Sequence, residues 1–267
     1  MRKFSRAQLF ILLCFFSSGF FLGSLFALAR GEARTFDFKT EYIAPYVGGT
    51  YGLSAVGDMA YGGSSGNGGV TTDQKVSANA SGEVGFMIPT SKFNIKFGVE
   101  FLAPRTLSGI NGSSSSGTAL FTLDSTVYAV IPMINFEYLA HQTPDSHFLI
   151  GLGGGMAYVT LENNYTMTTA GTTATGVGNT DEKGTGQAPV VQGYLGYETL
   201  ITDNATLAFD IGYRYAPVST INSTQNISAP AGTEVSGQPL VNMDGSNRSL
   251  NLSGPFVGLS FRFYIGG

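Results

Sequence analysis

Bulky apolar and small polar residues alternate one for one through segment after segment of this chain. Between Val76 and Ile88 the even positions are Val76, Ala78, Ala80, Gly82, Val84, Phe86 and Ile88, while Ser77, Asn79, Ser81, Glu83 and Gly85 lie between them. Successive side chains of a strand point to opposite faces, so this pattern predicts a β-strand with one apolar and one polar face. Its recurrence predicts eight strands, near 41–55, 76–89, 93–104, 123–138, 148–161, 189–201, 205–217 and 252–265. The third sets Phe93, Ile95, Phe97, Val99 and Phe101 against Asn94, Lys96, Gly98 and Glu100. The seventh sets Leu207, Phe209, Ile211, Tyr213 and Tyr215 against Thr206, Ala208, Asp210, Gly212 and Arg214. In the eighth, Val257, Leu259, Phe261, Phe263 and Ile265 oppose Gly258, Ser260 and Arg262.

The links between these segments alternate in length. Short ones surround Ser91-Lys92, residues 139–147 and Asp203-Asn204, and long ones cover 56–75, 105–122, 162–188 and 218–251. Each strand is close to the ~9–11 residues that cross hydrocarbon when tilted. Short turns at one end and long loops at the other are the rhythm of a transmembrane barrel. The expectation is an all-β fold, an eight-stranded antiparallel up-and-down transmembrane β-barrel with long extracellular loops. A soluble barrel would need charged, bulky residues outside. Here the polar faces carry mostly Gly, Ser, Ala and Thr, small enough for the bore of eight strands. The apolar faces carry Phe, Val and Ile, with Phe136, Tyr138, Tyr213 and Tyr215 near strand ends, where aromatic girdles belong. Gly, Ser, Thr and Asn dominate the long links, as in Ser64–Gly69 and Asn111–Gly117, and predict mobile loops. A hairpin within 218–251 would raise the count to ten strands, against which Pro230 and Pro239 argue.

The N-terminus has a different character. Arg2, Lys3 and Arg6 precede an apolar run from Leu9 to Leu28, and Ala27-Leu28-Ala29 ends it. This predicts a signal peptide over 1–33, cleaved after Ala29 or Ala33, with 34–267 as one barrel domain. A retained anchor is the alternative, since the run is long enough to span, although Gly19 and Gly23 interrupt it. Cys14, the one cysteine, lies inside the run, so the mature chain would hold no thiol. Charged residues are 12% of the chain, about half the ~25% of soluble proteins, which strengthens the membrane reading. A net charge of −4 with no basic cluster excludes a broad nucleic-acid surface.

With the signal segment, the eight alternating strands, Gly212-Tyr213-Arg214-Tyr215 in the seventh and Phe256–Ile265 at the end, the chain resembles the small OmpA-like or porin-like outer-membrane β-barrels of diderm bacteria. The resemblance implies a place in the cell outer membrane, contact with its lipids, and a last strand read by the barrel-assembly machinery. It also implies a monomer whose loops are open to an external ligand or surface. Two departures stand out. Family members usually end on an aromatic residue, whereas Ile265-Gly266-Gly267 follows Tyr264, and no periplasmic wall-binding domain is expected beyond the barrel.

Chemistry concentrates on the inward faces. Glu83, Lys96, Glu100, Glu137, Glu198, Asp210, Arg214 and Arg262 are the charges predicted there. Charge at membrane depth is costly unless paired or wet, so these eight are expected to form a lumen network. Aligning Ile265 with Ala205 would set Arg262 opposite Ala208 and diagonal to Asp210. A tight turn at Ser91-Lys92 would bring Glu83 beside Glu100 or Gly98, with Lys96 close by. His141 and His147 fall in a predicted periplasmic turn and are read as solvated. No Ser–His pair is then available at the outer rim. No catalytic residue, cofactor or metal site is expected, and Asp244-Gly245-Ser246-Asn247 reads as a turn rather than a calcium loop. The glycines of Gly151-Leu152-Gly153-Gly154-Gly155 are expected to shape a strand around a bulky lumen side chain. The favoured role is structural or surface-interacting, with a filled lumen. A narrow passive channel for ions or small solutes is the alternative, and a lipid-modifying enzyme is disfavoured.

Overall fold

The computed structural model describes residues 41–53, 79–114, 116–242 and 245–266. The segment read as a signal peptide, the 56–75 link and Asp244 of the expected turn lie outside them. Eight antiparallel strands form the wall. They are β1 (Glu41–Gly52), β2 (Asn79–Pro89), β3 (Phe93–Ser113), β4 (Ala119–Gln142), β5 (Ser146–Met167), β6 (Thr180–Thr202), β7 (Ala205–Tyr215) and, later in the chain, β13 (Gly254–Phe263). Each pairs with the next, and β13 pairs with both β7 and β1, in the registers Gly258↔Asp210 and Gly258↔Thr50. That last ladder closes the ring. A short β14 (Ile265–Gly266) adds to the start of β1.

Four strands are much longer than a membrane needs. β3 to β6 run 21, 24, 22 and 23 residues, against 12, 11, 11 and 10 for β1, β2, β7 and β13. The expected loops 105–122 and 162–188 are therefore largely strand. Only 114–118 links β3 to β4, and β5 reaches β6 through 168–179, which holds the short helix α1 (Thr169–Thr175). The reason lies in the faces. Low on β5, Phe148, Ile150, Leu152 and Met156 point outward; higher up Glu162, Asn164 and Thr166 do, while Val159, Leu161 and Tyr165 turn inward and are buried. On β6, Leu195 and Val191 give way outside to Gln187, Thr185 and Lys183. The period of two continues, but its sense inverts where the exterior changes from hydrocarbon to water.

The inverted stretch is covered from inside by the segment between β7 and β13. It contains β8 (Pro217–Val218) paired with β12 (Leu250–Asn251), β9 (Ile221–Ser223) paired with Gly184–Gly186 of β6, and a hairpin of β10 (Ile227–Ala229) and β11 (Gly232–Glu234). The hairpin exists, but it rides above the barrel and leaves the wall at eight strands. Pro230 sits in its turn, where a fixed φ helps, and Gly232 takes φ 138°. Val218, Ile221, Leu240, Leu250 and Leu252 of this cap join Leu107, Ile110, Leu123, Leu161 and Val190 of the long strands in one apolar core.

Two glycines let the cap approach. A Cβ on Gly184 would meet Leu240 Cδ1 at 2.5 Å and Ile221 Cγ2 at 2.6 Å, and one on Gly186 would meet Val218 Cγ1 at 2.7 Å. Gly184→Val should therefore lift the cap at a cost of about 1–3 kcal/mol. Limited proteolysis would register this as new cleavage within 217–252, with the heat-modifiable migration of the folded barrel retained.

Candidate functional site

The bore is the site, and its content follows from strand parity. All eight predicted charges point inward and are buried, with Glu137, Glu198 and Arg262 fully so. An eight-stranded interior is about filled by its own side chains, so each of these groups must find its partners across the bore.

Two guanidinium groups do this along diameters. Arg214 on β7 donates from Nη1 and Nη2 to the two oxygens of Glu100 on β3, at 3.0 and 2.5 Å. Arg262 on β13 donates from Nη1 and Nη2 to the two oxygens of Glu137 on β4, both at 2.9 Å. The strands of each pair stand four places apart in a ring of eight, so each fork crosses the full width. Arg262 Nη1 also reaches Glu198 Oε2 on β6 at 2.8 Å. Such bidentate, charge-assisted bonds are the strong ones.

The remaining carboxylate oxygens are met largely by neutral donors. Tyr46 donates to Glu83 at 2.6 Å, Tyr194 to Glu137 at 2.9 Å, Tyr264 to Glu198 at 2.7 Å and Ser81 to Glu100 at 2.5 Å. Thr206 donates to Glu198 and Asn94 to Glu137. Lys96 Nζ lies 3.5 Å from Glu137 Oε1 and 4.6 Å from the centre of the Tyr46 ring. Above the Arg214–Glu100 fork a cavity of ≈ 30 Å³ touches Thr50, Ser81 and Phe256, room for about one water molecule. Higher still the apolar core of the cap takes over.

The register differs in part from expectation. Glu83 does stand directly beside Glu100, and the two are kept apart electrically because Glu83 takes Tyr46 while Glu100 takes Arg214. Arg262, however, lies opposite Thr206, with Ser260 opposite Ala208 and Gly258 opposite Asp210. β13 ends beside Ala205 at Phe263 rather than at Ile265, which sets Arg262 two residues down and away from Asp210. Asp210 instead lies against two glycines, Gly196 and Gly258, and its Oδ1 is buried without a hydrogen-bond partner.

Three sets of contributors are not announced by the alternation: a histidine, three tyrosines and a cap arginine. His147 is buried rather than solvated, and its Nε2 lies 2.8 Å from Glu198 Oε2; of the two histidines, only His141 is exposed. His147 shares inward parity with Leu149 and Gly151, a signal that appears once the strand is begun two residues earlier. Tyr46, Tyr194 and Tyr264 likewise sit at inward parity. Gly151 lies beneath the ring of Tyr194, where a Cβ would collide with Cζ, so Tyr194 is the bulky side chain this glycine accommodates. The third contributor is outside the membrane. Arg248 of the cap is buried with Glu182 of β6 in an ion pair, Asn163 donates to Glu182 at 2.8 Å, and Arg248 donates to Tyr165 at 3.0 Å. Nothing in the pattern around Arg248 announces it.

One cap carboxyl has no such cation. Glu234 accepts from Ser223 at 3.3 Å while its Oε1 is buried without a partner, and burial pushes its carboxyl up to about 7.

Two outcomes follow. Removing Arg262 strands Glu137 and Glu198, so Arg262→Ala should lower stability by about 3–5 kcal/mol in urea unfolding from micelles. Because the carboxyl of Glu234 is raised on folding, its contribution to cap stability is full below pH 4.5 and is lost as pH rises through about 7. Amide protection factors in 223–238, with the intrinsic pH dependence of exchange divided out, should fall over that window in the wild type and stay level in Glu234→Gln.

No family model matches the chain, and no curated protein matches it. Solved structures similar to it include the outer membrane protein OprG from Pseudomonas aeruginosa, at 13% identity and a TM-score of 0.39, covering 86% of this chain and 98% of that one. Neisserial surface protein A is similar at 10% identity and a TM-score of 0.36, covering 83% and 99%. A major outer membrane protein from Thermus thermophilus is similar at 11% identity and a TM-score of 0.39, covering 82% and 99%. By its own closed ladder, polar bore and apolar exterior, the chain is an eight-stranded transmembrane β-barrel of outer-membrane build.

Proposed function

We propose that this protein is a monomeric surface protein of the outer membrane whose barrel is a closed pedestal for a rigid extracellular head. The head is the upper half of β3 to β6 together with the cap, and its task is contact with an external ligand or surface. The observation that carries this reading is the pair of guanidinium forks spanning the bore along two diameters, Arg214–Glu100 and Arg262–Glu137. The apolar core above them speaks against a wet route for ions onward. In this reading residues 1–33 are the cleaved export signal, and the barrel-assembly machinery inserts the mature chain. His147 has a structural part, tied to Glu198, and no catalytic role is assigned.

A second reading has one observation in its favour. Five carboxylates (Glu83, Glu100, Glu137, Glu198 and Asp210) face three permanent cations (Lys96, Arg214 and Arg262), a surplus that suits a narrow path for cations.

Planar-bilayer recording separates the two. The refolded wild type should be electrically silent, and so should Arg262→Ala, because the cap core remains above it. Discrete steps from the wild type that change size in Arg262→Ala would establish the channel instead.

A further inference from the structure

The lipid-facing wall is not evenly covered. On β7 and β13 the outward positions carry bulky side chains: Phe209, Ile211 and Tyr213 on one, Val257, Leu259 and Phe261 on the other. Across β2 to β5 the cover fails. Here a groove of ≈ 690 Å³ opens to the outside, bordered by Phe86 and Phe97, whose rings stack at 5.1 Å, and by Met156.

Two local features hollow it out. Gly154 points outward with no side chain, and a Cβ there would meet nothing nearer than Val190 O at 3.8 Å. Beside it, Pro132 lacks the N–H that a ladder uses. The β4–β5 pairing accordingly runs to Val130↔Tyr158 and resumes only at Met133↔Gly155. The thin wall and the missing side chain lie side by side.

Depth and chemistry identify an occupant. The ring pair Phe93–Tyr138, at 5.4 Å, marks the lower girdle, and Phe101 and Tyr158 are outward aromatics above. Between such girdles the surrounding medium is hydrocarbon. The groove is continuous with that apolar belt, and its rim offers rings, methyls and a thioether. We propose that this groove is a binding site for one acyl chain of a membrane lipid, held longer than the chains that wet the rest of the wall. The proposal rests on the reading that the barrel spans a membrane.

The chain contains no tryptophan, so a single introduced indole reports on one place. Phe86→Trp puts it at the groove, and Ile211→Trp puts it on the far wall. Each folded variant, checked by heat-modifiable migration, is titrated in detergent micelles with phospholipid carrying brominated acyl chains, which quench indole on contact. Phe86→Trp should be quenched at a roughly threefold lower lipid fraction than Ile211→Trp, the effect of a few added dispersion contacts. Adding Gly154→Leu, whose Cβ meets nothing closer than Val190 O at 3.8 Å, should erase the difference. Matching curves, or a difference that survives Gly154→Leu, would overturn the acyl-chain site and leave the barrel in its membrane. Absence of quenching at both positions would overturn the spanning reading itself. Native mass spectrometry of the detergent-extracted protein gives a check without tryptophan: one retained lipid in the wild type and none in Gly154→Leu supports the site, and equal retention in both refutes it.

Discussion

A side chain on these strands has two addresses, the bore or the outside, and the outside changes from hydrocarbon to water partway up. Everything else follows from meeting that constraint with a strict period of two. Below the change, apolar residues must face out, so polar ones are confined to a bore too narrow to hydrate them. Above it, polar residues face out and apolar ones turn inward, where they need a lid. The charge network and the cap are the two answers, one for each half of the same strands.

The lower answer is costly in isolation. Ions removed from water gain little net stability even when paired, and hydrophobic residues would fill a soluble core at less cost. Here that substitution is closed off, because a strand apolar on both faces would lose the contrast that tells inside from outside. The bore instead uses groups that satisfy one another. Planar guanidinium matches planar carboxylate, and tyrosine and threonine hydroxyls meet the leftover lone pairs. Glycines at 151 and 196 make room for Tyr194 and Asp210, so the side chains interlock rather than merely coexist.

Much of this is legible in the sequence, and what is not has a physical cause. The eight strands and the inward charges follow from alternation alone, because hydrocarbon outside enforces it strongly. The upper halves of β3 to β6 read as loops because their outward faces, such as Thr122, Thr126, Glu162, Asn164, Thr185 and Gln187, look like loop composition. Their alternation persists with its sense reversed, as in Val159, Leu161 and Tyr165, and a search for period without regard to sign would find it. The pairing expected for Arg262 is displaced by two residues because β7 and β13 are joined through the whole cap, and no short turn fixes their register in a way the sequence shows. Arg248 is invisible because its partner Glu182 is 66 residues away and only the folded cap brings them together.

Arg262 sits on the strand that completes the ring, while Glu137 and Glu198 sit on strands synthesised long before it. Until β13 docks between β7 and β1, those two carboxylates have no arginine. The cation that bridges both carboxylates therefore arrives with the final hydrogen-bonded seam, and a partly zipped sheet carries a larger negative excess that closure reduces. Assembly is thereby biased toward all or nothing: electrostatics inside the bore proofread the joining of the first strand to the last.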